Sequence, residues 1–174
     1  MDGSVAQSMR ESGLDYRYNW GWTRSYLLEL AAQYQPSQQL AEALRDTSVR
    51  ELLILSTMLF PREEITEQDL AAFLEKAINV ELQEQLAFNL LAYAPCAIRW
   101  AEQVVTSSAT DESRLYVALL TIANYTKRQP DEPLPEKLTE ALESYVSAEE
   151  LPMHCRRVAY ELLITLEERT ASND

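Results

Sequence analysis

The stretch VRELLILSTMLF, residues 49–60, decides the fold class, because apolar segments of similar length return along the chain. They are ELQEQLAFNLLAY (81–93), SRLYVALLTIANY (113–125) and RRVAYELLITLEE (156–168). The interval of roughly 30 to 40 residues between them is typical of stacked helix pairs. We therefore predict an all-α fold, an α-solenoid of stacked antiparallel helix pairs that forms one domain over residues 1–174. An irregular all-α bundle remains the alternative.

Residue types at the segment ends predict where the helices begin and end. Ser48 stands three residues before Glu51, the spacing of a capping box, and Thr66 precedes Asp69 in the same way. Asn79 is placed to cap the helix that follows it. The predicted helices are 5–12, 23–34, 36–45, 49–59, 67–78, 80–92, 95–106, 112–127, 135–146 and 152–168, with a loop at 129–134.

The charge of the chain is strongly negative and unevenly placed. Lys and Arg number 15 against 28 Asp and Glu, a formal net charge of −13. Residues 1–62 hold six basic and seven acidic side chains, whereas residues 63–174 hold nine and 21. Because like charges repel, a polyanion such as DNA would have to dock on the N-terminal third.

Cysteine and histidine usage argues against disulfides, metals and cofactors. Cys96 and Cys155 have no paired spacing, and the N-terminal residues lack the apolar core of a signal peptide, so we expect a reduced, cytoplasmic environment. No apolar run approaches the roughly 20 residues that span a bilayer. His154, the single histidine, lies beside Met153 and Cys155, which form no chelating set, and a buried structural role is favoured. We predict no metal and no cofactor.

Aromatic and arginine residues are concentrated between positions 16 and 24. They could form a surface that stacks bases or binds a partner peptide. They could instead pack over the end of the helical stack, since a terminal repeat must be capped, and this second interpretation is favoured. Gly21 is predicted to make a bend within the cluster. The candidate binding residues are Tyr16, Arg17, Tyr18, Trp20, Trp22 and Arg24.

The order of these segments resembles the DNA alkylation repair family of the AlkD type, which is built from HEAT-like repeats. A tyrosine and glycine lead-in precedes three successive helices, and the stretch EQLAFNLLAYAPCAIRWAEQVV (84–105) is similar to the central repeats of that family. The resemblance covers about residues 10–128, and residues 135–174 add a C-terminal helical pair. The matching positions are Tyr18 and Gly21, then Leu27 to Ala31, Leu40 to Leu44, and the Arg50-Glu51 pair.

The resemblance implies a site that this chain does not reproduce. Active members use a tryptophan and, four residues further along the same helix, an aspartate. The tryptophan falls here at Asn79 or Val80, neither of which has an aromatic face, and the aspartate falls near Glu84. An aromatic face and a carboxylate stabilise a cationic base and an oxocarbenium-like sugar. The first of these groups is missing.

The third catalytic group of the family, an arginine on a later helix, is displaced. It falls at Leu115 or Tyr116, and the neighbouring Arg114 points in a different direction around the helix. Glu84 and Arg114 remain as weak catalytic candidates, and whether the chain is an enzyme stays open.

The functional prediction is a non-catalytic binding module that recognises a partner through its concave face. We expect a protein partner, with a basic one among the candidates. The alternative is a DNA glycosylase or damaged-DNA-binding protein that acts on alkylated bases, with double-stranded DNA as ligand. The net charge disfavours this alternative.

Overall fold

The computed structural model describes residues 3–11, 14, 16–107, 111–132 and 135–172. Within them the regular structure is helical, and one isolated bridge pairs Tyr18 with Val49. The all-α class and the ten predicted helices are confirmed. The helices are α1 (Gly3–Glu11), α2 (Arg24–Ala31), α3 (Gln38–Arg45), α4 (Arg50–Leu59), α5 (Glu67–Lys76), α6 (Val80–Asn89), α7 (Pro95–Val105), α8 (Glu112–Arg128), α9 (Glu136–Ser147) and α10 (Met153–Ser172), with a short 3-10 helix at Leu91–Tyr93.

The chain divides into two compact units, Met1–Leu90 and Leu91–Asp174. In the first unit α3 packs against α4, and α4 also contacts α2 and α6. In the second unit α7 packs against α8, while α10 contacts both α8 and α9. Successive helices thus pair within each unit, as the repeat pattern predicts.

Two of the three predicted helix starts are confirmed. The Thr66 hydroxyl accepts from the backbone N–H of Asp69, and the Asp69 carboxylate accepts from the Thr66 backbone N–H, which completes a capping box. The Asn79 side chain accepts from the backbone N–H of Leu82. Each cap pairs an N–H group that the first helical turn leaves without a partner.

The predicted capping box at Ser48 is wrong. The residue that precedes α4 is Val49, and no side chain caps this helix. Ser48 is exposed, and Glu51 is fully buried. Its carboxylate instead accepts hydrogen bonds from the backbone N–H groups of Trp20 and Trp22. A buried carboxylate needs several donors, and the segment before α2 supplies more of them than the Ser48 backbone could.

Each unit has its own apolar interior. Helix α4 is buried along nearly its whole length, as its sequence predicts, with the side chains from Leu53 to Leu59 inside. Helix α8 is central to the second unit, where Leu119 and Ile122 pack with residues of α9 and α10, including Leu142 and Leu162. Truncating such a leucine to alanine costs about 2 to 5 kcal/mol, so these interiors fix the helices that carry the surface residues.

Two features of the predicted layout fall partly outside the described residues. The first is the predicted helix 5–12, because residue 12 lies outside them. The second is the predicted loop 129–134, because residues 133 and 134 lie outside them. Among the residues that the structure does describe, no helix has the length and apolar character required to cross a membrane.

Candidate binding surface

The segment that leads into α2, residues 16–23, lies against α4 and is here called the N-terminal segment. The backbone N–H of Arg50 donates to the carbonyl of Tyr18 at 3.0 Å, within the bridge between Tyr18 and Val49. Gly21 has φ of 73°, a conformation that is costly for residues with a Cβ, so the predicted bend at Gly21 is confirmed. The bend turns the chain so that the N–H groups of Trp20 and Trp22, on either side of Gly21, face the start of α4.

The carboxylate of Glu51 receives those two N–H groups. Trp20 N–H donates to Glu51 Oε2 at 3.1 Å, and Trp22 N–H donates to Oε1 at 3.2 Å. The Arg50 guanidinium donates to Oε1 at 3.0 Å and to the carbonyl oxygen of Trp22 at 2.9 Å. A fully buried carboxylate is stable only when it is paired in this way, so these bonds hold the N-terminal segment in place.

Arg50 also joins the N-terminal segment to α6. Its Nε donates to Glu81 Oε2 at 2.8 Å, and its Nη2 donates to the other oxygen of the same carboxylate, a two-point contact. The Tyr16 hydroxyl donates to Glu81 Oε2 at 2.5 Å and to Asn79 Oδ1 at 3.1 Å. Residues Tyr16, Arg50, Glu51 and Glu81 are called the polar cluster below.

Burial and hydrogen bonding act in opposite directions on the charges of the polar cluster. Burial disfavours charge on both Glu81 and Arg50, but their mutual hydrogen bonds and attraction outweigh it. The pKa of Glu81 is therefore lowered, and that of Arg50 is raised. Burial, together with the bond to Glu81, raises the pKa of Tyr16. Both ion-pair partners stay charged at neutral pH, and the Tyr16 hydroxyl stays a donor.

The six candidate binding residues therefore divide into different environments. Tyr16 is only 7% exposed, and its hydroxyl is bonded inside the protein, so it offers no surface to a partner. Trp20 and Trp22 are half-buried with ring centroids 5.0 Å apart, and Trp22 meets Tyr26 edge-on at 4.8 Å. The exposed Tyr18 ring carries the Arg17 guanidinium 5.4 Å from its centroid.

Arg24, the last of the six, lies beside an exposed aromatic ring of α6. Its guanidinium is 4.7 Å from the centroid of the Phe88 ring. Its Nε donates to Gln85 Oε1 at 3.3 Å, and its Nη2 donates to Asn89 Oδ1 at 3.4 Å. Asn89 is itself held by Thr57, to which its amide donates at 2.9 Å. Arg24 is thus oriented over Phe88 by two fixed amide side chains.

Helix α6 presents three exposed residues one turn apart. Val80 is 41% exposed, Phe88 is 48% exposed, and Glu84 lies exposed between them. Residues four apart lie on one side of a helix, so the three side chains share a face. This series, with Arg24 over its last member, is called the α6 face. Phe88 is not among the residues predicted from the sequence, although the spacing 80, 84, 88 places it on this face.

The positions where the DNA alkylation repair family is expected to carry catalytic groups have other roles here. The Asn79 side chain caps α6 and accepts from Tyr16. Val80 offers only an aliphatic surface. Glu84 is exposed on α6, and Arg114 is exposed in the first turn of α8 in the second unit. No aromatic side chain stands at the position predicted for the tryptophan.

Cys155 and His154 both make packing contacts within the second unit, whereas Met153 is exposed. Cys155 is fully buried in the interior of the second unit, and its thiol lies 3.9 Å from the carbonyl oxygen of Glu112. Burial and the nearby Glu112 charge raise the pKa of Cys155 to about 11. The His154 ring packs edge-on against Tyr116, with centroids 4.5 Å apart. Within the described parts of the chain, no group of three or more His, Cys, Asp or Glu side chains is placed to hold a metal ion.

Comparison of folds places this arrangement of helices among known proteins. No protein-family model and no curated protein matches the chain. One solved structure matches with a TM-score of 0.83 and 16% sequence identity, over 98% of this chain and 72% of the other. That protein is from a family related to the HEAT-like repeat DNA glycosylases with affinity for branched DNA structures. The fold is that of a HEAT-like repeat protein. The resemblance predicted from the sequence is thus confirmed at the level of the fold.

Proposed function

We propose that this HEAT-like repeat protein is a non-catalytic binding module that recognises DNA containing unpaired bases, such as a branch point, through the α6 face. The observation that supports it most directly is the exposed Phe88 ring with the Arg24 guanidinium held over it at 4.7 Å. An exposed aromatic ring beside an arginine is the combination that stacks an unpaired base and contacts its phosphate. The affinity of the structurally similar protein for branched DNA makes such a ligand the first to test.

The charge of the chain limits what kind of DNA binding is possible. A net charge of −13 disfavours a broad phosphate-binding surface, and Glu84 adds a negative charge to the α6 face itself. Binding must therefore rest on stacking with few phosphate contacts. Because each phosphate contact adds about one unit to the salt slope, we expect a slope of about −1 to −2. A duplex, which has no unpaired base, should bind poorly.

The same residues argue against base excision. The position of the family's tryptophan is occupied by Asn79, whose side chain is committed to the start of α6, or by the aliphatic Val80. Without an aromatic face, the cationic base and the sugar lose one of their two stabilising groups. We propose that the protein releases no methylated purine from alkylated DNA. Base release that Glu84→Gln abolishes would contradict this.

The binding proposal is tested by fluorescence anisotropy with a labelled junction that carries unpaired bases at its branch point, a single strand and a duplex of equal length. Stacking on one aromatic side chain is worth about 1 to 3 kcal/mol, so Phe88→Ala should weaken junction binding about tenfold. Tyr160→Ala, which removes an aromatic ring that is 53% exposed on α10, is the matched control and should leave affinity unchanged. Failure to bind the junction or the single strand, or equal affinity of Phe88→Ala and the unaltered protein, would refute the proposal.

A protein partner, which the sequence favours, is the second candidate function. Its support is exposed apolar surface at one end of the α6 face, where Val80 is 41% exposed and the neighbouring Ile78 is 69% exposed. Aromatic and arginine residues also dominate the energetic centres of protein interfaces. Cross-linking of a protein through position 88 in cells would favour this candidate. Salt-dependent binding of the purified chain to an immobilised junction would favour DNA instead.

A further inference from the structure

A series of hydrogen-bonded polar groups connects the α6 face to the interior of helix α4. Thr57 of α4 is 4% exposed and Asn89 of α6 is 2% exposed. The Asn89 amide nitrogen donates to Thr57 Oγ1 at 2.9 Å and to Gln85 Oε1 at 3.1 Å. Residues Thr57, Gln85 and Asn89 are called the α4–α6 network below. The network leads from a buried helix to the half-buried Gln85 at the edge of the α6 face.

The direction in which the Asn89 amide faces is set by Thr57. The Thr57 hydroxyl donates its one hydrogen to the carbonyl oxygen of Ile54 at 2.7 Å, so its oxygen can only accept from Asn89. The amide nitrogen of Asn89 therefore faces Thr57, and the amide oxygen is left for another donor. That oxygen accepts from Arg24 Nη2 at 3.4 Å. A threonine inside α4 thus determines that Arg24 meets an acceptor and not a second donor.

The second acceptor for Arg24 is held by the same network. Gln85 Oε1 accepts from the Asn89 amide at 3.1 Å and from Arg24 Nε at 3.3 Å. Each group that bonds Arg24 is therefore bonded to a more buried group in turn. Supporting hydrogen bonds of this kind fix the rotamer of the side chain they contact. They place the guanidinium 4.7 Å from the centroid of the Phe88 ring.

The polar character of Thr57 and Asn89 is not required for packing α4 against α6. Buried hydroxyl and amide groups cost free energy unless they are hydrogen-bonded, and apolar residues of similar shape avoid that requirement. What the two polar residues add is a fixed position for Arg24. An arginine that is ordered before a ligand arrives loses little rotamer freedom on binding, so its contact with the ligand is stronger.

We propose that Asn89 and Thr57 are positioning residues of the α6 face, which hold the Arg24 guanidinium over Phe88 before DNA binds. The inference rests on the function proposed above and extends it to two buried residues. Arg24 is the group that contacts the phosphate beside the stacked base, and the α4–α6 network fixes where that contact forms. Removal of the network should therefore act on binding through Arg24, which distinguishes positioning from general support of the fold.

The first test follows the Arg24 side chain by NMR of the full chain without DNA. Arginine Nε–H groups give separate signals, and Arg24→Lys identifies the signal of Arg24. In the unaltered protein its heteronuclear NOE should be close to that of the α6 backbone. In Thr57→Val and Asn89→Leu it should fall toward the value of Arg157, whose side chain is 66% exposed. An Arg24 group that is mobile in the unaltered protein, or rigid in both variants, would overturn the proposal.

The matched control is Thr121→Val, the same chemical change in the second unit. Thr121 is fully buried, and its hydroxyl donates to a carbonyl of its own helix at 2.8 Å, as that of Thr57 does in α4. We expect the Arg24 signal to be unchanged in this control. Circular dichroism checks that every variant is folded, and Thr57→Val, the smaller change, decides the test where Asn89→Leu does not fold.

The second test is a double-mutant cycle on binding of the junction with unpaired bases, measured by fluorescence anisotropy. Thr57→Val should weaken binding about threefold to tenfold, which corresponds to the ordering of one long side chain. In an Arg24→Ala background the same substitution should change nothing, because no guanidinium remains to be held. An equal loss in both backgrounds would refute the positioning role.

The two tests separate failure of this inference from failure of the DNA proposal. Absence of junction binding in every form of the protein contradicts the proposed function, whereas the NMR experiment still decides whether the α4–α6 network orders Arg24. Conversely, binding that Phe88→Ala weakens, without coupling between Thr57 and Arg24, supports the DNA proposal and contradicts the positioning role.

Discussion

Replacement of Arg50 by methionine tests whether the polar cluster holds the first unit together. Arg50 is 3% exposed, and its guanidinium donates to both oxygens of Glu81, to Glu51 and to the carbonyl of Trp22. Methionine fills much of the volume but leaves the buried Glu51 carboxylate and the partly buried Glu81 carboxylate without their cation. Removing one partner of a buried pair costs about 3 to 5 kcal/mol. Arg50→Met should therefore remove a large share of a total stability of about 5 to 15 kcal/mol.

The assay is urea unfolding at neutral pH, followed by circular dichroism and by tryptophan emission in a Trp100→Phe background. In that background Trp20 and Trp22 alone report on the N-terminal segment. Arg157→Met is the control, because Arg157 and Glu161 form an ion pair at 3.8 Å with side chains 66% and 61% exposed. Such surface pairs contribute about 0 to 1 kcal/mol. A loss for Arg50→Met within 1 kcal/mol of the control value would refute our account of the polar cluster.

Two further predictions concern titrating groups. The pKa of Glu81 is lowered in the folded protein, so its bonds stabilise the fold fully above the ordinary carboxyl pKa of about 4.5. This stability is lost as the pH falls through the lowered pKa. Acid unfolding of Glu81→Gln, followed by circular dichroism, should therefore show a weaker pH dependence than that of the unaltered protein. A dependence as steep as that of the unaltered protein would contradict it. The buried Cys155 thiol, with its pKa raised to about 11, should react with a thiol reagent only after unfolding, whereas the partly exposed Cys96 reacts in the native protein. Mass spectrometry after brief labelling identifies the modified residue, and native labelling of Cys155 would be the contrary result.

Helix positions could be predicted from the sequence because their signals are local. The spacing of apolar residues and the caps at Thr66 and Asn79 depend on neighbours within one turn, and the structure confirms both caps. The bend at Gly21 is similarly local, since only glycine adopts φ of 73° at little cost. The repeated apolar segments and their order along the chain also predicted the HEAT-like repeat fold correctly.

The polar cluster could not be predicted, because its partners are far apart in sequence. Ser48 and Glu51 have the spacing of a capping box, and nothing nearby shows that Trp20 and Trp22 will supply donors from 31 and 29 residues away. Tyr16 looked like a surface aromatic for the same reason. Which of the clustered aromatics are exposed depends on long-range hydrogen bonds, and composition carries no information about these.

The N-terminal segment is attached by contacts that each close a long loop. Its bonds to Glu51 span 29 and 31 residues, and the bond from Tyr16 to Glu81 spans 65. Closing such long loops costs more chain entropy than forming helical hydrogen bonds, so we expect these contacts to form after α4 and α6 have packed. The amide hydrogens of Trp20 and Trp22, which donate to a carboxylate instead of a helical carbonyl, consequently exchange with solvent whenever the segment detaches. Their exchange rates measure how often this end of the protein opens while the helices behind it stay folded.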